Sequence, residues 1–170
     1  MHRLLNTFPI GLLASCLLLV GCGQYDIKVN DKLVYTPAKL LKVQGITDSA
    51  LAICIEQAIA DNLITSINQL KSLNCSNAGI KTLEGLATFH SLERLKLSNN
   101  QIRNLLELEK LTLLVNLWLD DNAIVDIVPL AGLAQLAQLD VSDNPALQCP
   151  TQELFPPSVA VTLADHCEAP

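Results

Sequence analysis

LERLKLSNNQI, residues 92–102, decides the architecture of this 170-residue chain. Leu95 and Leu97 alternate with Arg94 and Lys96, as residues of a short strand must when one face is buried and the other is wet. The same arrangement recurs as LKSLNCSNAGI from Leu70, LVNLWLDDNAI from Leu114 and LAQLDVSDNPA from Leu136. Each start lies 22 residues after the last. Apolar residues follow at fixed offsets: Leu83, Leu86 and Phe89, then Leu105, Leu108 and Leu111, then Ile127, Leu130 and Leu133. A fixed period of this length marks stacked supersecondary units, none of which can bury its own apolar face alone.

The common pattern, LxxLxLxxNxI, resembles the leucine-rich repeat, and tails such as IVDIVPLAGL resemble its internalin-like 22-residue class. The resemblance runs from residue 70 to about residue 150. It implies an α/β solenoid with a parallel concave sheet and covered ends. Asn100, Asn122 and Asn144 stand where the chain leaves each strand. An amide there can serve backbone groups that the turn leaves unpaired, so stacked units should form an Asn ladder. The first unit departs from the pattern, with Ala78 at the Asn position and Cys75 at a core Leu position. In the fourth, Pro145 and Ala146 replace the usual pair and the array stops.

The expected organisation is a signal peptide over 1–21, an anchored spacer over 22–45, a helical cap over 46–69, four repeats over 70–148 and a C-terminal cap over 149–170. TDSALAICIEQAIADN reads as the cap helix, with Thr47 or Asp48 as N-cap. Its apolar stripe is Leu51, Cys54, Ile55, Ala58 and Ile59, which turns Cys54 towards the first repeat. In the spacer, YDIKV and KLVY alternate around Asn30-Asp31, a small hairpin.

The N-terminus carries a basic start at His2 and Arg3 and an apolar run from Phe8 to Val20. That run is shorter than the roughly 20 residues a spanning helix needs, and reads as the core of a signal peptide. Leu19-Val20-Gly21-Cys22 resembles the bacterial lipobox. The resemblance implies diacylglycerol on the Cys22 sulfur, cleavage before Cys22 and an acyl chain such as palmitate on its amine, more than stable anchoring requires. Gly23 stands where Asp commonly signals inner-membrane retention, so the expected location is the bacterial cell envelope at the outer membrane.

Six cysteines are present. Cys16 leaves with the signal peptide and Cys22 takes lipid, so Cys54, Cys75, Cys149 and Cys167 remain. Four cysteines in an exported chain suggest two disulfides and allow three pairings. Sequence locality favours Cys54–Cys75 and Cys149–Cys167, one at each end of the array. A metal site is the weaker alternative, because there is no CxxC pair and His90 and His166 are scattered.

No GxSxG, HExxH, P-loop or dinucleotide-binding glycine motif occurs, so an enzyme is not expected. No cofactor is implied. The net charge of −6 disfavours a nucleic-acid partner. The outward strand positions are the better candidates. Read by offset, they form the columns Ser72, Arg94, Asn116, Gln138; then Asn74, Lys96, Trp118, Asp140; then Ser76, Ser98, Asp120, Ser142. The single tryptophan, Trp118, projects near the middle of this face, either as the anchor of a partner or lying over its neighbours' stems. Beyond Lys110 there is no Lys or Arg, whereas Asp120, Asp121, Asp126, Asp140, Asp143, Glu153, Asp165 and Glu168 all follow, which reads first as the solvated surface of an exported protein and second as a site for a cationic partner or divalent ion.

The expected function is recognition of another macromolecule, a protein, through the concave face, with Arg94, Lys96, Trp118, Asp120 and Asp140 as candidate contacts. Two alternatives remain: a structural envelope lipoprotein without a specific partner, and an ion- or glycan-binding module using the aspartates and Trp118.

Overall fold

A computed structural model describes residues 26–36, 39–151 and 153–167, and divides the chain into two units after Lys39. In the first unit, β1 (Ile27–Val29) and β2 (Lys32–Tyr35) pair antiparallel. Asn30 and Asp31 connect them with φ of 50° and 59°, the left-handed values a two-residue type I′ turn requires.

The second unit holds the solenoid. It opens with α1 (Ser49–Asp61), the one α-helix among the described residues. Asp48 is the N-cap, its Oδ1 accepting the Ala50 and Leu51 amides at 2.9 and 3.1 Å. Leu51, Ile55 and Ile59 are buried, with Cys54 and Ala58 half-buried beside them. The helix thus closes the N-terminal end of the core along the stripe expected from its periodicity.

Residues 40–45, read from sequence as spacer, belong to this unit. Leu40, Leu41, Val43 and Ile46 pack against the core, and the Leu41 amide donates to the Ile64 carbonyl at 2.9 Å. The strap passes so near the first repeat that a Cβ on Gly85 would fall 2.1 Å from the Gly45 carbonyl oxygen. Gly85 also has φ of 90°, so only glycine suits the position.

Five parallel strands follow in the order β3 (Ser72–Asn74), β4 (Arg94–Lys96), β5 (Asn116–Trp118), β6 (Gln138–Asp140) and β7 (Ala160–Thr162). Register is constant: Leu73, Leu95, Leu117, Leu139 and Val161 are successive partners. The sheet therefore runs one strand beyond the four repeats read from sequence. Val161 fills the inward strand position inside a segment that lacks the repeat's Asn and its tail, and so carries no repeat pattern in sequence.

Each coil returns through a short 3₁₀ turn: Leu86–Thr88, Leu106–Lys110 and Val128–Leu130 in successive repeats. Leu92, Leu95, Leu97, Ile102, Leu108, Leu111, Leu114, Leu117 and Leu119 have no exposed surface. Burying each such side chain contributes roughly 1.5–3 kcal/mol, so the stacked leucines dominate the stabilisation.

The Asn ladder links the coils. Asn122 Nδ2 donates to the carbonyls of Leu97 and Leu119, each at 3.0 Å, while its Oδ1 accepts the Ile102 amide at 3.0 Å. Asn144 repeats this with Leu119, Val141 and Ile124, and Asn100 with Cys75, Leu97 and Ile80. Among the described residues, no buried side-chain polar atom lacks a partner.

Both disulfides form, Cys54–Cys75 and Cys149–Cys167. The first joins α1 to the core side of the first strand segment. The second ties the end of the fourth repeat to the 3₁₀ turn Asp165–Cys167 that follows β7. Each closes one end of the array.

Candidate partner-binding face

The outward residues of the five strands form two continuous rows. One is Ser72, Arg94, Asn116, Gln138, Ala160, and the other Asn74, Lys96, Trp118, Asp140, Thr162. Parallel strands lie about 4.8 Å apart, so neighbours within a row face one another directly. The structure thus brings Lys96, Trp118 and Asp140 together in one line, with Arg94 beside Lys96.

Arg94 and Lys96 are exposed, whereas Asn116, Trp118, Asp120 and Asp140 are half-buried. Among the described residues the one ion pair is Lys71–Glu93, at 3.0 Å, so neither Arg94 nor Lys96 is held by a carboxylate. The acidic side is held by neutral donors. Asp120 Oδ1 accepts the Ser98 hydroxyl at 2.6 Å. Asp140 Oδ1 accepts the Ser142 hydroxyl at 2.7 Å and the Ser142 amide at 3.1 Å. Asn116 Nδ2 donates to Gln138 Oε1 at 3.2 Å. The face therefore offers a cationic pair on β4, an aromatic ring on β5 and a carboxylate on β6, in that order. Each charge retains capacity for an external partner.

The remaining aspartates serve the backbone. Asp121 and Asp143 have φ of 53° and 52°, as do Asn77 and Asn99 at the equivalent positions with 60° and 54°. Each stands immediately before the ladder position, where the chain turns in the left-handed region that Asn and Asp tolerate best. Asp126 Oδ1 accepts the Val128 amide at 2.8 Å, an Asx turn opening the 3₁₀ segment. Three of the eight acidic residues beyond Lys110 therefore serve turns.

Among the described residues, one group of His, Cys, Asp or Glu has ligand atoms close enough to share a metal: Cys149, His166 and Cys167, within 4.8 Å of one another. Both sulfurs are joined in the disulfide, and His166 Nε2 lies 2.8 Å from the Leu147 carbonyl. Bonded to one another, the sulfurs are not thiolate ligands. His90 is exposed, with Nδ1 3.0 Å from the Thr88 carbonyl. Cys22 lies outside the described residues.

One feature carries no sequence signal. A groove of about 700 Å³ separates α1 from β3, lined by Ile53, Gln57, Ala58, Ser72, Asn74 and Ala78 among others. Ile53 is 66% exposed within it, on the side of the helix opposite the buried stripe. Only the docking angle of helix on strand creates this space, and periodicity does not encode that angle.

The Leucine Rich repeats family (2 copies) matches residues 68–110. No curated protein matches the chain. Among solved structures it is similar to an internalin, InlF, of Listeria monocytogenes, with TM-score 0.54 and 25% identity over 59% of this chain and 31% of that one. It is also similar to the functional domain of InlJ of Listeria monocytogenes, which includes a cysteine ladder, with TM-score 0.57 and 22% identity over 73% of this chain and 29% of that one. The chain spans about a third of the length of these internalins. No helix among the described residues is long and apolar enough to cross a membrane. The matched repeats, the parallel five-stranded sheet and these neighbours make the fold an internalin-like leucine-rich-repeat solenoid.

Proposed function

We propose that this chain is a lipid-anchored envelope protein, held at the outer membrane through Cys22, that binds a protein partner by the concave face of its sheet and carries out no catalysis. The observation that carries the reading is the row Lys96, Trp118, Asp140. A half-buried tryptophan between an uncommitted cation and a carboxylate has the composition of a binding hot spot, where aromatic anchors are flanked by polar specificity contacts. The leucine-rich-repeat fold supports this, since stacked strands present such side chains on a rigid surface. The internalin relationship does not transfer a partner, because function resides in the site rather than the fold.

The test is affinity capture from envelope extract with the folded domain, run side by side for wild type and Trp118→Ala. A species retained by the first and lost by the second, at equal melting temperature, supports the reading. Identical capture by both removes Trp118 from it. The anchor has its own test. Cys22→Ser should leave an unprocessed precursor without lipid, and normal processing of that variant would overturn the assignment.

A further inference from the structure

The hairpin β1–β2 has no buried face. Every described residue from Asp26 to Thr36 is exposed, including Ile27 at 43%, Val29 at 56%, Leu33 at 52%, Val34 at 63% and Tyr35 at 55%. A lone two-stranded hairpin is marginal in water, and five large apolar side chains exposed on seven strand residues are a cost unless something covers them.

Position and charge identify the cover. Asp26 follows Cys22 by four residues, so a chain extended at 3.3–3.6 Å per residue keeps the start of the hairpin within about 14 Å of Cys22. Charge separates along the chain in the same sense. The hairpin is neutral, with Lys28 and Lys32 against Asp26 and Asp31, and Lys39 follows it, whereas residues 40–170 contain seven Lys or Arg against fifteen Asp or Glu. An anionic bilayer repels the second segment and not the first, and such forces act only within a Debye length of about 8 Å.

Resting on the reading of Cys22 as the lipid site, we propose that the hairpin is a membrane-surface element. It lies in the headgroup layer of an anionic bilayer, its apolar side chains at the acyl boundary and Lys28 and Lys32 extended towards phosphate. It is then a foot for the solenoid rather than a passive spacer.

The chain's single tryptophan makes a direct test possible. Full-length chain carrying Trp118→Phe and Tyr35→Trp, purified with its lipid, is reconstituted into phosphatidylethanolamine–phosphatidylglycerol vesicles with or without brominated acyl chains. Thermal melts establish that it is folded. The expected result is that the chain floats with the vesicles and that brominated lipid quenches its tryptophan emission at least twofold. Adding Leu33→Asp and Val34→Asp should abolish quenching while flotation persists. A chain that floats with its tryptophan unquenched, as when hairpins of two copies pair with each other, overturns the hairpin proposal and leaves the anchor intact. Equal quenching in the aspartate variant also overturns it, since the tether alone would then bring the residue near. A wild-type chain that carries no lipid and does not float overturns the anchor reading, and the proposal with it.

Discussion

Asp48 and Lys81 are 33 residues apart, and the Asp48 carboxylate joins them. Its Oδ1 caps α1, while its Oδ2 accepts the backbone amides of Lys81 and Thr82 at 2.8 and 3.1 Å. One side chain therefore starts the cap helix and fixes it to the first repeat. Burial pushes the Asp48 pKa up, but the four amide donors of Lys81, Leu51, Thr82 and Ala50 outweigh it and hold the carboxyl below its ordinary value of 3.8. A lowered folded-state pKa means that this stabilisation is fully present above pH 3.8 and is lost as pH falls through the folded value. Asp48→Ala should cost about 1–2 kcal/mol at neutral pH. Asp48→Asn keeps a capping oxygen, so it should cost less and respond less to acid. In thermal melts the advantage of wild type over Asp48→Asn should shrink as pH falls below 3.8.

The Asn ladder gives a steeper prediction. Replacing Asn122 with Ala leaves the Ile102 amide without its acceptor and removes the donor serving Leu97 and Leu119, in a site with almost no access for water. Each buried group left unpaired costs about 1–3 kcal/mol. Asn122→Ala should therefore lower stability by roughly 2–4 kcal/mol, measured by urea unfolding. Asn122→Asp should do no better, because a carboxylate accepts but cannot donate to the two carbonyls. An unchanged urea midpoint for either variant would remove the ladder from the account of stability.

The strand face, the ladder and the cap stripe were legible because each rests on a period, and both disulfides because their cysteines lie close in sequence at the two ends of the array. Leu73, Leu95, Leu117 and Leu139 repeat every 22 residues, and the cap helix shows its own 3.6-residue stripe. What was not legible rests on geometry that no period encodes. β7 is joined to the sheet by the hydrogen-bonding edge of β6, although its own sequence has no repeat signature. The double duty of Asp48 depends on how the cap docks, as does the groove beside Ile53. The acidic end had two readings in sequence, solvated surface or ion site. The backbone angles at Asp121 and Asp143 supply a third, in which those residues are present for their φ.

That third reading can be tested at Asp121. At φ of 53°, glycine is free of the steric penalty and a β-branched residue suffers it fully. Asp121→Gly should be nearly neutral, and Asp121→Val should destabilise by about 1–2 kcal/mol in thermal melts. If Asp121 instead served an ion, Asp121→Gly would be damaging as well, because glycine keeps the backbone conformation but removes the carboxylate. Millimolar calcium would also raise the melting temperature, because a ligand bound only by the native state must stabilise it. The expected outcome is a large difference between the two variants and no calcium shift.

The Cys54–Cys75 disulfide makes a prediction about where stability is lost rather than only how much. It links α1 to the first strand segment with the cysteines 21 positions apart, a loop for which closure entropy gives roughly 3 kcal/mol. In a stacked array each coil contacts chiefly its neighbours, so weakening one end should loosen that end first. Cys75 is buried in the core column that continues as Leu97, Leu119 and Val141, whereas Cys54 is half-buried on the helix. The double variant Cys54→Ala, Cys75→Val keeps that column apolar and removes only the link. Hydrogen exchange should then show α1 and β3 losing protection while β5 and β6 retain it. Uniform loss across all five strands would mean that the array unfolds as a single cooperative unit, with the disulfide acting on the whole rather than on the cap.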